Sequence, residues 1–366
     1  MSARPSSTPD APPPIVEATD QPVPLGHRPP VADRPQASPA AGAFPRAPAA
    51  SPSPSAGDFT SERMLRPQVA PPRSGWRRLV FLATGGAVNL GPTAAELRER
   101  DFVARVKAPV EGCRRIAVVS RKGGVGKTTT TLMLGHTFAS HRGDRVIAID
   151  GNPDAGSLGY RVRRETTNTV VSLLAHRDQI ARYADIRAFT SQAPTRLEVV
   201  AADDDPRITD ALREQDFFNA LALLEVHYNL VCMDTGTGVL ESAAKGILRL
   251  ADQLVVVTSP SLDSARTASS TLDWLDQNGH ADLVSGAVAV VNGVRRRGLV
   301  ELDSIEAHFR ARCRSVVRVP WDAHLEAGAE SAPELLKPTT RSAYLELTAA
   351  VADGFQDVNP ERGGKR

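Results

Sequence analysis

The sequence predicts an α/β fold: a mostly parallel sheet of seven or eight strands with helices on both faces. Two patterns predict it. First, apolar runs recur from Arg114 onward, at 116–120, 146–150, 197–201, 230–234, 254–258, 287–291 and 316–319. Most are continuous, as in Val146-Ile147-Ala148-Ile149, and a strand that is apolar on both faces is a strand covered on both faces. Second, helical stretches fall between the runs, near 127–142, 207–226, 239–250, 262–277, 299–312 and 340–355. Buried strands alternating with helices build a parallel sheet joined by right-handed crossovers. No internal repeat is visible.

Taken in order, residues 1–75 differ from the rest. They hold 18 of the chain's 28 prolines, with many Ala and Ser. Such a composition buries too little apolar area to offset chain entropy, so this stretch is expected to be a disordered tail: a tether, or a strip for a proline-recognising partner. Residues 76–113 read as a helical arm or linker. Trp76-Arg77-Arg78-Leu79-Val80-Phe81-Leu82 is apolar with a basic edge. Thr93 and Glu96 then have the spacing of a capping box, which starts a helix. The arm either packs on the main domain or touches a membrane surface, and its few basic residues favour packing. Residues 114–356 form the expected α/β domain, and 357–366 a second disordered tail.

Bulk properties narrow the function. The 366 residues are 41% hydrophobic, enough to fill a core, and the formal net charge is only +2. Nothing in that total demands a nucleic acid or an anionic membrane. Cys113, Cys232 and Cys313 lie far apart, without metal-ligand or redox spacing, as expected of a reduced cytosolic protein. The first 50 residues contain no apolar leader core, and no stretch is apolar for the length of a bilayer span. The expected location is therefore cytoplasmic, with at most peripheral contact at the inner membrane face.

The chemistry begins at the first apolar run. Ile116-Ala117-Val118-Val119-Ser120 reads as a strand, and Arg121-Lys122-Gly123-Gly124-Val125-Gly126-Lys127-Thr128-Thr129 follows it into a helix. Polyphosphate binding needs this arrangement. Glycines let backbone N–H groups converge on phosphate oxygens without Cβ clashes, and the helix N-terminus adds partial positive charge. Lys127 can reach the β and γ phosphates, and the Thr128 hydroxyl can ligate Mg²⁺. The loop residues Gly123, Gly124, Val125, Gly126 and Thr129 complete the expected P-loop nucleotide cradle. Two carboxylates accompany it. Asp150 and Asp234 end strands, and acids at the C-terminal ends of adjacent parallel strands point into the crevice where ligands bind. There they can hold Mg²⁺, directly or through water.

The spelling departs from the usual G-x-x-x-x-G-K-[ST], because Arg121 takes the first glycine position and Lys122 follows it. This deviant Walker A form resembles the MinD/ParA family of ATPases. The resemblance implies a P-loop NTPase fold, ATP and Mg²⁺ as cofactors, and an ATP-dependent homodimer in which Lys122 reaches the partner's nucleotide. It implies that Asp234 is the Walker B aspartate and Gly236 the glycine that senses the γ phosphate. It assigns Asn292, at the end of Val288-Ala289-Val290-Val291, to the adenine amine, and Pro320, in Val319-Pro320-Trp321-Asp322, to the wall beside the base. The second aspartate usual after the second strand is replaced by Asn152. Asn152 can orient a water but cannot take its proton at pH 7, and Asp154 stands nearby as a substitute, so slow hydrolysis is expected.

Longer phrases sharpen the resemblance. Lys127-Thr128-Thr129-Thr130-Thr131, Asp150-Gly151-Asn152-Pro153-Asp154-Ala155-Gly156 and Val319-Pro320-Trp321-Asp322-Ala323-His324-Leu325-Glu326-Ala327-Gly328 are similar to the actinobacterial MinD/ParA-like proteins of type VII (ESX) secretion, the EspI-like group. That implies a regulator of secretion, or of polar or septal positioning, with a protein partner in that apparatus. Two alternatives stand. One is a DNA-partition ATPase, for which Arg295-Arg296-Arg297 and Arg310, Arg312, Arg314 and Arg318 would supply a basic surface; a solvated face is favoured. The other is a module that holds ATP without turnover, motivated by Asn152. The last nine residues are too short and polar for a membrane-binding amphipathic helix.

Overall fold

Ile116, Ala117, Val118 and Val119 are all fully buried, yet they serve two different cores. Successive side chains of a strand point to opposite faces. Ala117 and Val119 join Ile147, Ile149, Phe217, Leu221, Leu272 and Phe309 on one face of the sheet. Ile116 and Val118 join Val146, Ala148, Leu132, Phe138, Tyr344 and Leu347 on the other. Two-sided burial is what made these runs continuous rather than alternating.

In the computed structural model, the described residues are 70–73, 75–151, 156–203, 205, 214–236 and 242–356. All lie in a compact unit spanning Gln68–Arg366. The expected tails at 1–75 and 357–366 fall almost wholly outside the described residues, as do Asn152 and Asp154.

Eight strands form one sheet: β1 Arg114–Val119, β2 Val146–Gly151, β3 Ser191–Gln192, β4 Glu198–Val200, β5 Leu230–Thr235, β6 Gln253–Thr258, β7 Val288–Val294 and β8 Ser315–Pro320. Their order is β3-β4-β2-β5-β1-β6-β7-β8. Every neighbouring pair is parallel except β3 with β4. The two-residue β3 was not expected, because two residues carry no periodicity. The short helices Val170–Ala175, Tyr183–Arg187, Ala281–Ser285 and Ala323–Glu326 were missed for the same reason. The helix expected over 207–226 is described as Glu214–Glu225, since 206–213 lie outside the described residues.

Among the described residues, two helices precede the sheet, α1 Gly75–Ala83 and α2 Ala94–Val106. The α2 capping box is formed: the Glu96 amide donates to Thr93 Oγ1 at 3.2 Å and the Thr93 amide to Glu96 Oε2 at 2.9 Å. Val106 is buried in the core, and Arg105 Nε donates to Asp353 Oδ1 at 2.9 Å on the last helix, Pro338–Asp353. Buried Arg142 ties down the end of the arm, donating to the carbonyls of Val106 and Ala108, each at 2.6 Å. In α1, by contrast, Trp76, Leu79 and Leu82 are exposed. No helix among the described residues is long and apolar enough to cross a membrane.

Candidate functional site: a phosphate loop and its surroundings

Between β1 and α3, Lys127–His141, the chain turns sharply on two glycines. Gly124 has φ +73° and Gly126 φ +92°, left-handed values that disfavour any side chain. Gly126 caps α3, accepting from the Thr130 amide at 2.8 Å. Its Cα face is also closed by a neighbour: a Cβ there would lie 2.2 Å from Asn292 Nδ2. Asn292 Nδ2 in turn donates to the Val125 carbonyl at 2.8 Å. Only the amide N–H₂ can face a carbonyl oxygen, so Asn292 Oδ1 is left as an acceptor. Asn292 reaches the loop because β7 runs on past it, with Gly293 at φ +78° and a bulge against β8 between Asn292 and Val294.

The loop opens into a cavity of about 470 Å³ whose lining includes Gly124, Val125, Gly126, Lys127, Thr128, Thr129, Asn292, Pro320 and Trp321, together with Arg161 and Ser157. The phosphate end and the expected base end thus share one space. Trp321 is fixed at the base end. Its amide donates to the Val294 carbonyl at 2.9 Å, and Arg295 and Lys337 lie 4.7 and 4.9 Å from its ring centre. Asp322 stiffens the same turn by accepting from the His324 and Lys337 amides at 3.1 and 3.0 Å.

Asp150 and Asp234 sit side by side in register on β2 and β5, both buried. Their surroundings differ. Asp234 accepts from Thr131 Oγ1 at 3.3 Å, and the Thr128 side chain is near enough to favour its ionised form. Complete burial pushes its carboxyl up to about 6, against the pull of Thr128, Lys127, Thr131 and Arg161. A buried carboxyl beside a threonine hydroxyl offers the oxygen donors a small divalent cation takes, while the neighbouring Lys127 is a cation suited to phosphate rather than to metal. Asp150 instead accepts from the Leu158 amide at 3.1 Å, and a Cβ on Gly156 would fall 2.0 Å from its Oδ2. Its carboxylate is folded against the backbone of the segment that follows β2. Gly236, just beyond β5, is buried.

Lys122 and Gly123 do not line the cavity. Lys122 Nζ pairs with Asp263 Oδ2 at 2.6 Å, at the start of the helix Leu262–Gln277, and holds that exposed carboxylate below its usual range. The arginines considered for a basic surface are largely matched by acids. Arg310 and Arg318 pair with Glu306, Arg318 also with Asp303, Arg312 with Asp273 and Asp276, and Arg295 with Glu326. Sequence reasoning missed Arg161, whose Nη1 donates to Thr129 Oγ1 at 2.8 Å. No motif contains it, and spacing gave no signal for it.

Known proteins share this fold. The ParA family ATPase from Chlorobium tepidum superposes with a TM-score of 0.57 at 17% identity, over 65% of this chain and 98% of that one. The septum site-determining protein MinD from Pyrococcus horikoshii, solved with Mg-ADP, gives 0.53 at 19% identity, over 69% and 99%. A family described as an AAA domain matches residues 113–277. The fold and the loop are those of the MinD/ParA-like P-loop ATPases. The ESX-1 secretion-associated protein EspI of Mycobacterium tuberculosis is 39% identical over 295 residues, covering 80% of this chain. The chain falls in the EspI-like branch, and it spans 43% of the length of those EspI proteins.

Proposed function

We propose that this chain binds ATP with Mg²⁺, hydrolyses it slowly, and uses the bound nucleotide to form a homodimer that regulates a type VII secretion or positioning apparatus from the cytoplasmic side. The observation that carries the reading is the loop itself. Left-handed Gly124 and Gly126 aim the first turn of α3 into a cavity that also holds Lys127, Thr128 and Asn292. The Mg-ADP complex of the Pyrococcus horikoshii MinD and the EspI resemblance support the choice of ligand and of setting.

In this reading, the loop amides, Lys127 and Thr129 hold the polyphosphate, while Thr128 and Asp234 hold the cation. When bound, Mg²⁺ supplies neutralisation of the charge on the terminal phosphate oxygens. The Asn292 acceptor oxygen receives the adenine amine, and Pro320 and Trp321 wall the base. A guanine carries a carbonyl at that position, so two acceptors would meet and adenine is preferred. Gly236 reports on the γ phosphate. Asn152 orients the attacking water without taking its proton, and Asp154 is the nearby carboxylate. Asp150 serves the cation indirectly, by fixing the segment after β2 through the Leu158 amide.

Lys122 must leave Asp263 to reach a partner's nucleotide. That pair is exposed and screened by solvent, so little holds Lys122 in place against the pull of a partner's nucleotide. The DNA-partition reading is weaker, because four of its arginines are paired with acids within the chain. Light scattering tests the switch: Mg-ATP should double the mass of wild type, Mg-ADP should not, and Lys122→Ala should bind ATP yet stay monomeric. Dimerisation of Lys122→Ala equal to wild type would remove the trans contact from the account. Salt-sensitive, ATP-dependent retention on DNA would favour partition instead.

A further inference from the structure

We propose that Arg161 is a further nucleotide-binding residue, a cationic ligand for the polyphosphate supplied from outside every recognised motif. The inference rests on the ATP-binding reading and deepens it. Arg161 closes a single 3₁₀ turn, Leu158–Arg161, after β2. The turn is rigidly seated. Leu158 is fully buried and donates its amide to Asp150, and a Cβ on Gly159 would meet the Ala201 Cβ at 2.5 Å. A fixed base gives the long side chain a defined direction, and it ends in the cavity that holds the phosphate loop.

What it meets there is unusual for an arginine. Its Nη1 donates to the hydroxyl of Thr129, in the first turn of α3. No carboxylate among the described residues lies within ion-pair distance of Arg161, although Asp234 attracts it from further away. Burial pushes its guanidinium below the usual arginine range. A partly buried guanidinium with five donors, one neutral acceptor and no described carboxylate in direct contact is matched to phosphate oxygens, which it binds in a planar fork. Thr129 follows the residue assigned to the cation and lies beside Asn292: a Cβ on Gly126 would contact both. Arg161 therefore approaches the polyphosphate from the side that faces the base.

The same turn holds the base wall. The Ser331 amide donates to the Arg161 carbonyl at 2.8 Å, and Leu325, Glu326 and Gly328 of that segment line the cavity. A phosphate held by Arg161 thus steadies both ends of the nucleotide site.

Titration calorimetry with Mg-ATP on wild type, Arg161→Met and Arg161→Lys tests this. Arg161→Met should weaken binding roughly 10- to 100-fold, the usual loss for a hydrogen bond to a charged group, and Arg161→Lys should recover a large part of it. A purely structural arginine would lower Tm and leave the affinity of the folded protein unchanged, and that result overturns the proposal. Hydrogen exchange on wild type gives an independent answer should Arg161→Met fail to fold. Mg-ATP should slow exchange over residues 156–163 as well as in the loop. Protection of the loop with unchanged exchange over 156–163 sinks the Arg161 assignment alone. Absence of ATP affinity in wild type removes the parent reading, and this one with it.

Discussion

Gly126→Ala is the sharpest local test of the site, because two separate penalties meet at one atom. At φ +92°, an alanine pays roughly 1–2 kcal/mol for a left-handed backbone. The added Cβ would also stand 2.2 Å from Asn292 Nδ2, so that amide must move and its 2.8 Å hydrogen bond to the Val125 carbonyl is lost, for about 0.5–1.5 kcal/mol more. The expected total is about 2–3 kcal/mol. Asn292→Ala alone should cost about 1 kcal/mol. It also removes the atom that clashes, so the double variant should be less destabilised than the sum of the two, by about 1 kcal/mol. Urea unfolding of nucleotide-free protein, read as the midpoint at constant m, measures all four corners of the cycle. Additive effects, or a Gly126→Ala protein as stable as wild type, would refute the packing of Asn292 against the loop.

Two further predictions concern pH. His136, on α3, is buried, bonds Thr195 Oγ1 at 2.7 Å, and is pushed by burial down to about 4. The unfolded chain then takes up a proton near 6.5 while the folded chain does not. Stability present above about pH 6.5 is lost as pH falls toward 4, by up to about 3 kcal/mol. Urea midpoints at pH 7 and pH 5 should show the drop in wild type and a smaller one in His136→Gln; equal drops would contradict the assignment. Asp234 works in the opposite sense, since its folded carboxyl is raised to about 6. Cation binding there must displace a proton below that value, so apparent Mg²⁺ affinity in the presence of ATP should fall roughly fivefold between pH 6 and pH 5. A flat Mg²⁺ profile over that range would mean that Asp234 is not a ligand.

Much of the site was readable because its chemistry forces residue identity. Only glycines tolerate the left-handed turns at 124 and 126, and only a lysine and a hydroxyl serve at 127 and 128, so their order announces a phosphate loop. Asp150 and Asp234 were legible as acids at the C-terminal ends of buried strands, each of which runs one residue further than expected, and their register on β2 and β5 follows from the parallel sheet. The difference in their surroundings was not: it depends on Gly156 and the Leu158 amide, a contact made by a segment with no periodic pattern. Arg161 was invisible for the same reason, since a four-residue 3₁₀ turn has no sequence signature and its meaning lies in Thr129, reached only through the fold. The amphipathic look of 76–82 did not say where its apolar side would go. Val106 of the next helix is buried, whereas Trp76, Leu79 and Leu82 are exposed.

The most direct measurement is Mg²⁺-dependent ATP binding by the purified chain, titrated beside Lys127→Ala. Saturable binding that requires Mg²⁺, exceeds that of GTP and is lost in Lys127→Ala is the predicted result. A wild-type protein without affinity for adenine nucleotides, or one whose affinity survives Lys127→Ala unchanged, would contradict it.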